Sequence, residues 1–210
     1  MTIVLRKPLK STDPMPSFDS LEALWEQADV LQAETQARYP DMNCHAGCAD
    51  CCKFHGSPIT YPVEWLQIQA QLDRDSVLKQ AVKERFQALQ QYLRSRLKAQ
   101  EKPTLREALF VAPCPFLAEN RCEIYALRPL TCRTYGNTRL KESTPSDSVQ
   151  DFYTCDMEKE RWEEMLPMAQ EEPIHLPARE SLFQALEKID PQAPQTLLVY
   201  LERYLRHAKT

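Results

Sequence analysis

Glycine is scarce in this sequence: the 210 residues contain only Gly47, Gly56 and Gly136. With so little glycine, the chain has no Gly-rich loop that could hold the nucleoside end of a cofactor. Each of the three glycines lies within a few residues of a cysteine. Because a metal-binding loop turns tightly and often needs φ > 0, this placement predicts that the glycines serve cysteine-rich loops.

Long apolar runs are also lacking. Near the N-terminus only Ile3, Val4 and Leu5 form one, which is shorter than the ~7–15 residues of a signal-peptide core. No run approaches the ~18–20 apolar residues of a membrane span. We therefore expect a cytoplasmic protein without membrane association, in a compartment that keeps thiols reduced.

No stretch is strongly basic with interleaved aromatic residues, so we expect no nucleic-acid partner. The net charge is −4, and residues 141–190 hold thirteen acidic residues against five basic ones. Such a run usually forms a solvated acidic face. A surface for a basic protein partner is the alternative interpretation.

Helical periodicity dominates the chain, and sixteen prolines separate the periodic segments. Apolar residues recur at spacings of three and four, which predicts amphipathic helices. The expected helices cover 18–39, 62–72, 77–99, 157–166, 178–189 and 195–207. A turn signal at Glu119-Asn120-Arg121 makes a short hairpin plausible within 114–125. A short helix is expected to carry Cys132, and 105–110 is expected to form about one helical turn.

The predicted fold is therefore mainly α. Its helices pack around a small irregular Cys-rich lobe, and one short β-hairpin is an option. Residues 1–16, with three prolines, are expected to form an extended N-terminal arm. Residues 17–210 are expected to form a single helical domain, with a metal centre built from 44–55 and 114–155.

Cysteine is the residue on which the function depends. No cysteine precedes residue 44 or follows residue 155. In a reducing compartment, thiols grouped at short spacings are more typical of metal ligands than of disulfides. All eight are candidate ligands: Cys44, Cys48, Cys51, Cys52, Cys114, Cys122, Cys132 and Cys155.

The first cluster has the spacing Cys44-x3-Cys48-x2-Cys51, with Cys52 adjacent. Spacings of two or three residues let successive thiolates face one ion from a single loop. Two neighbouring cysteines rarely serve one ion comfortably. Cys51 and Cys52 therefore either face different sites, or one of them is not a ligand.

Thiolates bind both zinc and iron–sulfur clusters. Eight thiols are enough for two closed zinc sites, or for one cluster with thiols to spare. His45 and His55 are possible replacement ligands, whereas His175 and His207 are expected at the surface. The cofactor is therefore expected to be one iron–sulfur cluster, or one to two zinc ions.

Two arginines lie near the second cysteine cluster. A cluster with four thiolates is an anion, so Arg128 and Arg133 could hold it and shift its potential. Alternatively, Arg128 forms a salt bridge with a helix end. Tyr125 and Tyr135, in the same segment, are expected to supply buried packing area.

The first cluster also matches the cysteine spacing of radical S-adenosylmethionine enzymes. Those enzymes use a βα barrel, whereas this chain shows helices with almost no strands and almost no glycine. The aromatic residue usual before their third cysteine is Asp50 here. The sequence therefore disfavours that class.

Two blocks resemble the CxxCxxCC family of zinc- or iron-chelating domains. The blocks are Cys44-x3-Cys48-x2-Cys51-Cys52 and Cys114-Pro-Phe-Leu-x4-Cys122-Glu-Ile-Tyr-x2-Arg128-Pro-x2-Cys132-Arg133-x-Tyr135. The resemblance covers about 42–136, with Cys155 as a trailing cysteine. The first block departs from the family pattern by one residue, between Cys44 and Cys48. The resemblance implies that the motif cysteines bind metal.

Most members of that family are small bacterial proteins. A related domain occurs in flagellin lysine N-methylases, which transfer a methyl group from S-adenosylmethionine. The resemblance therefore implies a metal-binding protein with a structural, carrier or electron-transfer role. A cluster-dependent enzyme related to those methylases is a second hypothesis. A protein-interaction scaffold whose fold is stabilised by bound zinc is a third hypothesis.

Overall fold

The structure, a computed structural model, describes residues 18–41, 44, 47–54, 56–98, 113–140, 152–165 and 176–207. Within these ranges the fold is mainly α, with only short strands, as the sequence predicts. The expected N-terminal arm, the helical turn at 105–110 and His45, His55 and His175 lie outside the described residues.

Eight α-helices and one 3-10 helix are present in the described residues. The α-helices are α1 Leu21–Arg38, α2 Asp50–Phe54, α3 Pro62–Arg74, α4 Ser76–Lys98, α5 Leu130–Thr134, α6 Asp156–Met165, α7 Arg179–Ile189 and α8 Leu197–His207. The 3-10 helix is Tyr125–Leu127. No helix in the described part of the chain is both long and apolar enough to cross a membrane.

Side chains at the helix ends explain where the longer helices begin. The hydroxyl of Ser20 accepts a hydrogen bond from the Ala23 amide at 3.2 Å, which caps α1. The sequence predicts separate helices over 62–72 and 77–99. In the structure, Asp75 is the single residue between α3 and α4. Its carboxylate accepts from the Leu78 amide at 2.9 Å and so starts α4.

Three antiparallel pairs of two-residue strands connect the helices. The predicted hairpin is confirmed as β2 Leu117–Ala118 with β3 Arg121–Cys122. Glu119 and Asn120 both have positive φ, as a tight two-residue hairpin turn requires. In the second pair, β1 Ile59–Thr60 lies beside β6 Gln195–Thr196, which is far from it in sequence. In the third pair, β4 Thr138–Arg139 lies beside β5 Phe152–Tyr153.

Two clusters of buried apolar side chains form the core. The first joins α3, α4 and α8 and contains Trp65, Ile68, Leu72, Leu78, Val82, Phe86, Leu89, Phe116, Ile124, Leu197, Leu198, Leu201 and Leu205. The second joins α1, α5 and α7 and contains Leu21, Leu24, Trp25, Ala28, Tyr61, Leu130, Leu182 and Leu186. Cys114 and Cys122 pack against the first cluster. The second cysteine block therefore lies against a helical core.

A buried carboxylate joins three of these elements. Glu64 has no exposed surface and accepts from the Trp25 indole at 3.2 Å, the Tyr61 amide at 2.9 Å and the Leu130 amide at 2.6 Å. Burial raises the pKa of Glu64, while these hydrogen bonds and the charge of Arg133 lower it. Because Leu130 begins α5, Glu64 fixes the short helix that carries Cys132 to α1 and α3.

Replacing Glu64 by alanine should destabilise the protein strongly. The change leaves three buried donors without a partner, which costs on the order of 3 kcal/mol or more of unfolding free energy. Glu84→Ala, on the exposed face of α4, is the matched control and should change stability by less than about 0.5 kcal/mol. Urea unfolding followed by circular dichroism measures both. Equal midpoints for the two variants would contradict the role of Glu64.

Candidate metal centre

The helix α2 carries the adjacent pair of cysteines. The sequence predicted a loop here, but Asp50–Phe54 is helical, so Cys51 and Cys52 lie on a single helical turn. Their sulfur atoms are 4.0 Å apart, close enough for one thiol to donate a hydrogen bond to the other. This contact lowers the pKa of Cys51 and raises the pKa of Cys52.

The hairpin brings Cys114 and Cys122 to the same place. The amide of Cys114 donates to the carbonyl of Cys52 at 2.7 Å, which ties the second cysteine block to α2. The Cys114 carbonyl accepts from the Leu117 amide at 3.0 Å, and Leu117 is the strand partner of Cys122. Sequence-distant cysteines thus meet through main-chain hydrogen bonds.

Cys132 lies in the middle of α5, as the sequence predicts. Two hydrogen bonds from its neighbours hold that helix in place. The Leu130 amide donates to Glu64, and the Thr131 hydroxyl donates to the Ile59 carbonyl at 2.8 Å. The position of Cys132 is therefore set by the helical core and by β1.

Cys44 lies against Gly136, a residue that the sequence analysis noted only for its closeness to Cys132. The Cys44 thiol donates to the Tyr135 carbonyl at 3.3 Å. A Cβ atom on Gly136 would collide with the Cys44 sulfur and lie 2.7 Å from the Cys44 Cβ. Gly136 also has a φ of +86°, which disfavours other residues. Only glycine lets Cys44 approach this turn.

The thiols line one cavity of about 430 Å³, called here the thiol cavity. Seven of the eight cysteines contribute to its wall: Cys44, Cys48, Cys51, Cys52, Cys114, Cys122 and Cys132. Cys155 is buried and does not line the cavity, but its charge acts on Cys44 and Cys48. The structure therefore brings seven candidate ligands to one cavity, and Cys155 is not among them.

The remaining wall of the thiol cavity is mostly apolar. It includes residues that the sequence does not single out, namely Gln32, Ser57, Pro58, Ile59, Thr196 and Leu197. Ser57, Pro58 and Ile59 follow the first cysteine block, while Thr196 and Leu197 come from the C-terminal part of the chain. The pairing of β1 with β6 brings these segments together. The periodicity of the sequence carries no signal for that pairing, because each strand has only two residues.

Burial controls the ionisation of these thiols. It raises the pKa of Cys114 to about 12 and the pKa of Cys132 well above its ordinary value. Burial also raises the pKa of Cys44, and negative charge on Cys51 and Cys48 adds to the effect. A thiolate in this environment needs a nearby positive charge. The donor set therefore fits a cation.

The cysteines differ in their charged neighbours. Burial is the main cause of the raised pKa of Cys155; the charges of Glu158 and Asp50 add to it, and a main-chain hydrogen bond with Glu158 opposes it. Burial also raises the pKa of Cys114 and of Cys122, while Arg85 lowers it at Cys114, and at Cys122 Arg128 lowers it and Glu123 raises it. Positive charge therefore acts on the thiols of the hairpin and not on Cys155.

Arg128 forms its ion pair with a residue in the middle of α1, not at a helix end. Its guanidinium group donates to Asp29 at 2.9 Å and to Gln32 at 2.8 Å, and it stacks 3.8 Å from the ring centroid of Tyr125. It also lines the thiol cavity. Because Asp29 and Gln32 are three residues apart on α1, they share a face of that helix.

Arg133 is buried among contacts with α1 and its own segment. It pairs with Asp29, donates to the Arg128 carbonyl at 2.9 Å and lies 4.6 Å from the Trp25 ring centroid. It does not line the thiol cavity. Tyr125 and Tyr135 both line it. Tyr135 packs edge-on against the Tyr153 ring. The expectation that Tyr125 is buried is wrong, since it is 39% exposed and stacks on Arg128. His207, expected at the surface, is exposed at the end of α8.

The thiols surround a space and do not converge on a point. Within the described ranges, no group of three or more His, Cys, Asp or Glu side chains has a geometry that could hold a metal ion as it stands. The adjacent sulfur atoms of Cys51 and Cys52, at 4.0 Å, come close to the ~3.8 Å edge of a tetrahedron with Zn–S bonds of ~2.3 Å.

Comparison with known families finds one match. Residues 43–156, more than half of the chain, match the family model CxxCxxCC, described as a putative zinc- or iron-chelating domain. The matched range contains all eight cysteines. No curated protein and no solved structure matches the chain.

Gly136→Ala should disturb the centre more than Gly47→Ala. Both glycines have positive φ, so both variants carry a backbone strain of about 1–3 kcal/mol. A Cβ on Gly47 meets nothing within 4 Å, whereas one on Gly136 collides with Cys44. Melting temperature and bound metal per chain should therefore fall further in Gly136→Ala. Equal losses would show that the contact with Cys44 does not matter.

Proposed function

Since the chain belongs to the CxxCxxCC family, we propose that it binds metal through a centre built from its eight cysteines. The centre holds zinc or an iron–sulfur cluster in a structural, carrier or electron-transfer role. The family match supports metal binding in general. The ligand set, the metal and the role are the proposal.

One observation carries this proposal: seven cysteines line a single cavity. None of the eight cysteines, all within the described ranges, forms a disulfide. Thiolates are the preferred ligands of structural zinc and of iron–sulfur clusters. When bound, the metal supplies the positive charge that lets buried thiols lose their protons.

The elements that carry the cysteines support this proposal. Cys51 and Cys52 lie on α2, Cys132 lies on α5, and the hairpin positions Cys122. Each of these elements is anchored to a helical core or to another cysteine segment. We assign this work to one domain, residues 17–210, in a reducing and thus cytoplasmic compartment.

The size of the thiol cavity bears on the choice between roles. A volume of about 430 Å³ lies within the ~300–1,000 Å³ typical of small-molecule sites. A closed structural zinc site would leave no such space beside its ligands. The geometry thus favours an exchangeable or cluster-type centre over a purely structural one.

A cluster-dependent enzyme, related to flagellin lysine N-methylase, is the second candidate. The cavity favours this candidate, because its wall extends beyond the thiols and leaves space in which a substrate could lie beside them. The scaffold hypothesis has less support. The exposed large apolar side chains are spread over several elements, including Val30 on α1, Phe54 on α2, Leu66 on α3 and Val77 on α4.

Elemental analysis of protein purified without oxygen tests the metal identity. Matched iron and acid-labile sulfide, with a broad absorption band near ~400 nm, would identify an iron–sulfur protein. A colourless protein with one or two zinc ions per chain would identify a zinc protein. Protein that remains free of both metals after reconstitution would contradict the proposed function.

Cys48→Ser and Cys122→Ser should each lower metal content and melting temperature together. Binding at a thiolate site contributes on the order of ten kcal/mol to folding, so a lost ligand affects both measurements. Tyr125→Phe is the matched control, because Tyr125 lines the cavity but lacks a thiol. Unchanged metal stoichiometry in the two serine variants would refute the ligand assignment.

A further inference from the structure

We propose that the thiol cavity also binds a small organic anion, whose negative group lies at Arg128 and whose apolar part lies against the wall beyond the thiols. A carboxylate on a small apolar body is the class of ligand that this wall fits. The proposal rests on the proposed function, because both use the same cavity, and it deepens that function by naming a class of substrate. Its anchor is an arginine and not a thiol.

The wall beyond the thiols contains apolar side chains that are already packed. Phe116, Ile124 and Leu197 line the cavity, and each is 4% exposed or less. All three belong to the buried cluster that joins α3, α4 and α8. The core therefore sets their positions, and this side of the cavity is preformed. Sites for small organic molecules are typically of this kind, with a few polar groups that fix the orientation of the ligand.

One charged side chain lies in this wall. Among the described residues that line the cavity, Arg128 is the only Lys, Arg, His, Asp or Glu. It is 7% exposed, so little water screens its charge. A buried charge is costly unless it is paired. The cavity therefore favours an anionic molecule over a neutral or cationic one.

The ion pair of Arg128 offsets its charge only in part. Its carboxylate partner, Asp29, also pairs with Arg133, so one carboxylate serves two guanidinium groups. The side chain of Asp29 is 47% exposed and lies outside the thiol cavity, so water screens it. Glu64, another carboxylate near Arg133, accepts from three buried donors. On the cavity side, Arg128 thus has no counter-charge of its own among the described residues.

The contacts of Arg128 orient its guanidinium group and leave donors free. Nη2 donates to Asp29 at 2.9 Å and to Gln32 at 2.8 Å, so this nitrogen faces α1. Nη1 donates to the Tyr125 carbonyl at 3.5 Å, which is long for a hydrogen bond. No described residue accepts from the Nε–H. Since a guanidinium group has five N–H donors, Nε and Nη1 remain for a ligand.

The charge and the apolar wall together indicate a single molecule that uses both. An inorganic anion would pair with Arg128 but leave the surfaces of Phe116 and Ile124 unfilled. A neutral apolar molecule would cover those surfaces but leave the guanidinium group without an anion. A carboxylate with an apolar body satisfies both, because its hydrogen bond with arginine is charge-assisted and its body leaves water.

Titration with three matched probes tests the proposal on the unchanged, metal-loaded chain. Phenylacetate, phenylacetamide and phenethylammonium share a phenyl ring and differ in charge. Phenylacetate should bind on the order of tenfold more tightly than phenylacetamide, because hydrogen bonds between charged groups are stronger. Phenethylammonium should bind most weakly. NMR titration of isotope-labelled protein gives each Kd, and the shifted amides should include those of the lining residues Ile59, Thr131 and Leu197. Equal affinities for acid and amide, no binding of any probe, or shifts confined to other regions would overturn the proposal.

A matched pair of variants tests the role of Arg128. Arg128→Gln should lose the preference for phenylacetate and keep the weaker binding of phenylacetamide. Arg121→Gln is the control, because Arg121 is exposed on the hairpin beside Cys122 and does not line the cavity, and it should keep the preference. A preference that persists in Arg128→Gln would show that another group holds the anion. If that variant does not fold, the comparison of probes on the unchanged chain still decides.

The metal content of the same samples separates this proposal from the proposed function. Apoprotein is titrated beside the metal-loaded protein, and zinc and iron are measured in each. A preference for phenylacetate in the loaded protein supports the anion site. A preference confined to apoprotein would show that an anionic metal–thiolate centre takes up the charge of Arg128. That result would overturn the anion site and leave the proposed function intact. Protein that prefers phenylacetate but binds neither metal would contradict the proposed function alone.

Discussion

The removal of water from the cysteine thiols is the constraint on which the rest of this centre depends. Burial raises the pKa of Cys114 to about 12 and raises the pKa of Cys44, Cys122 and Cys132, whereas the contact with Cys52 lowers the pKa of Cys51. Arg85 and Arg128 offset only part of that effect, at Cys114 and Cys122. A cation that enters must therefore displace several protons, and its affinity depends on pH. The fold prepares ligands that become good ligands only in the presence of metal.

None of the elements that carry the cysteines is stable alone. The helices α2 and α5 have five residues each, and the hairpin strands have two. Helices this short and isolated hairpins are marginal in water. Their positions come instead from Glu64, from the main-chain bond between Cys52 and Cys114, and from the two apolar cores. The long helices thus act as the scaffold, and the site is assembled from pieces attached to it.

The features predicted from the sequence and those that were missed differ in their physical origin. Long helices were predicted because their apolar periodicity extends over many residues, and the hairpin because Glu119 and Asn120 form a local turn signal. The helix at Asp50–Phe54 and the pairing of β1 with β6 were missed, because such short elements show no period. The sequence also gives no sign that Gly136 accommodates Cys44, or that Asp29 holds Arg128. Those contacts depend on tertiary structure alone.

The uneven charge around the thiol cavity adds a functional argument. A zinc ion with four thiolates carries a net charge of about −2, so nearby guanidinium groups stabilise it and nearby carboxylates do not. Arg85 and Arg128 act on the thiols of the hairpin, whereas Asp50 and Glu158 act on Cys155. Glu123, close to Cys122, is paired with Arg85, which reduces its opposing effect. The two guanidinium groups therefore suit an anionic thiolate–metal centre at the hairpin thiols, in line with the proposed function.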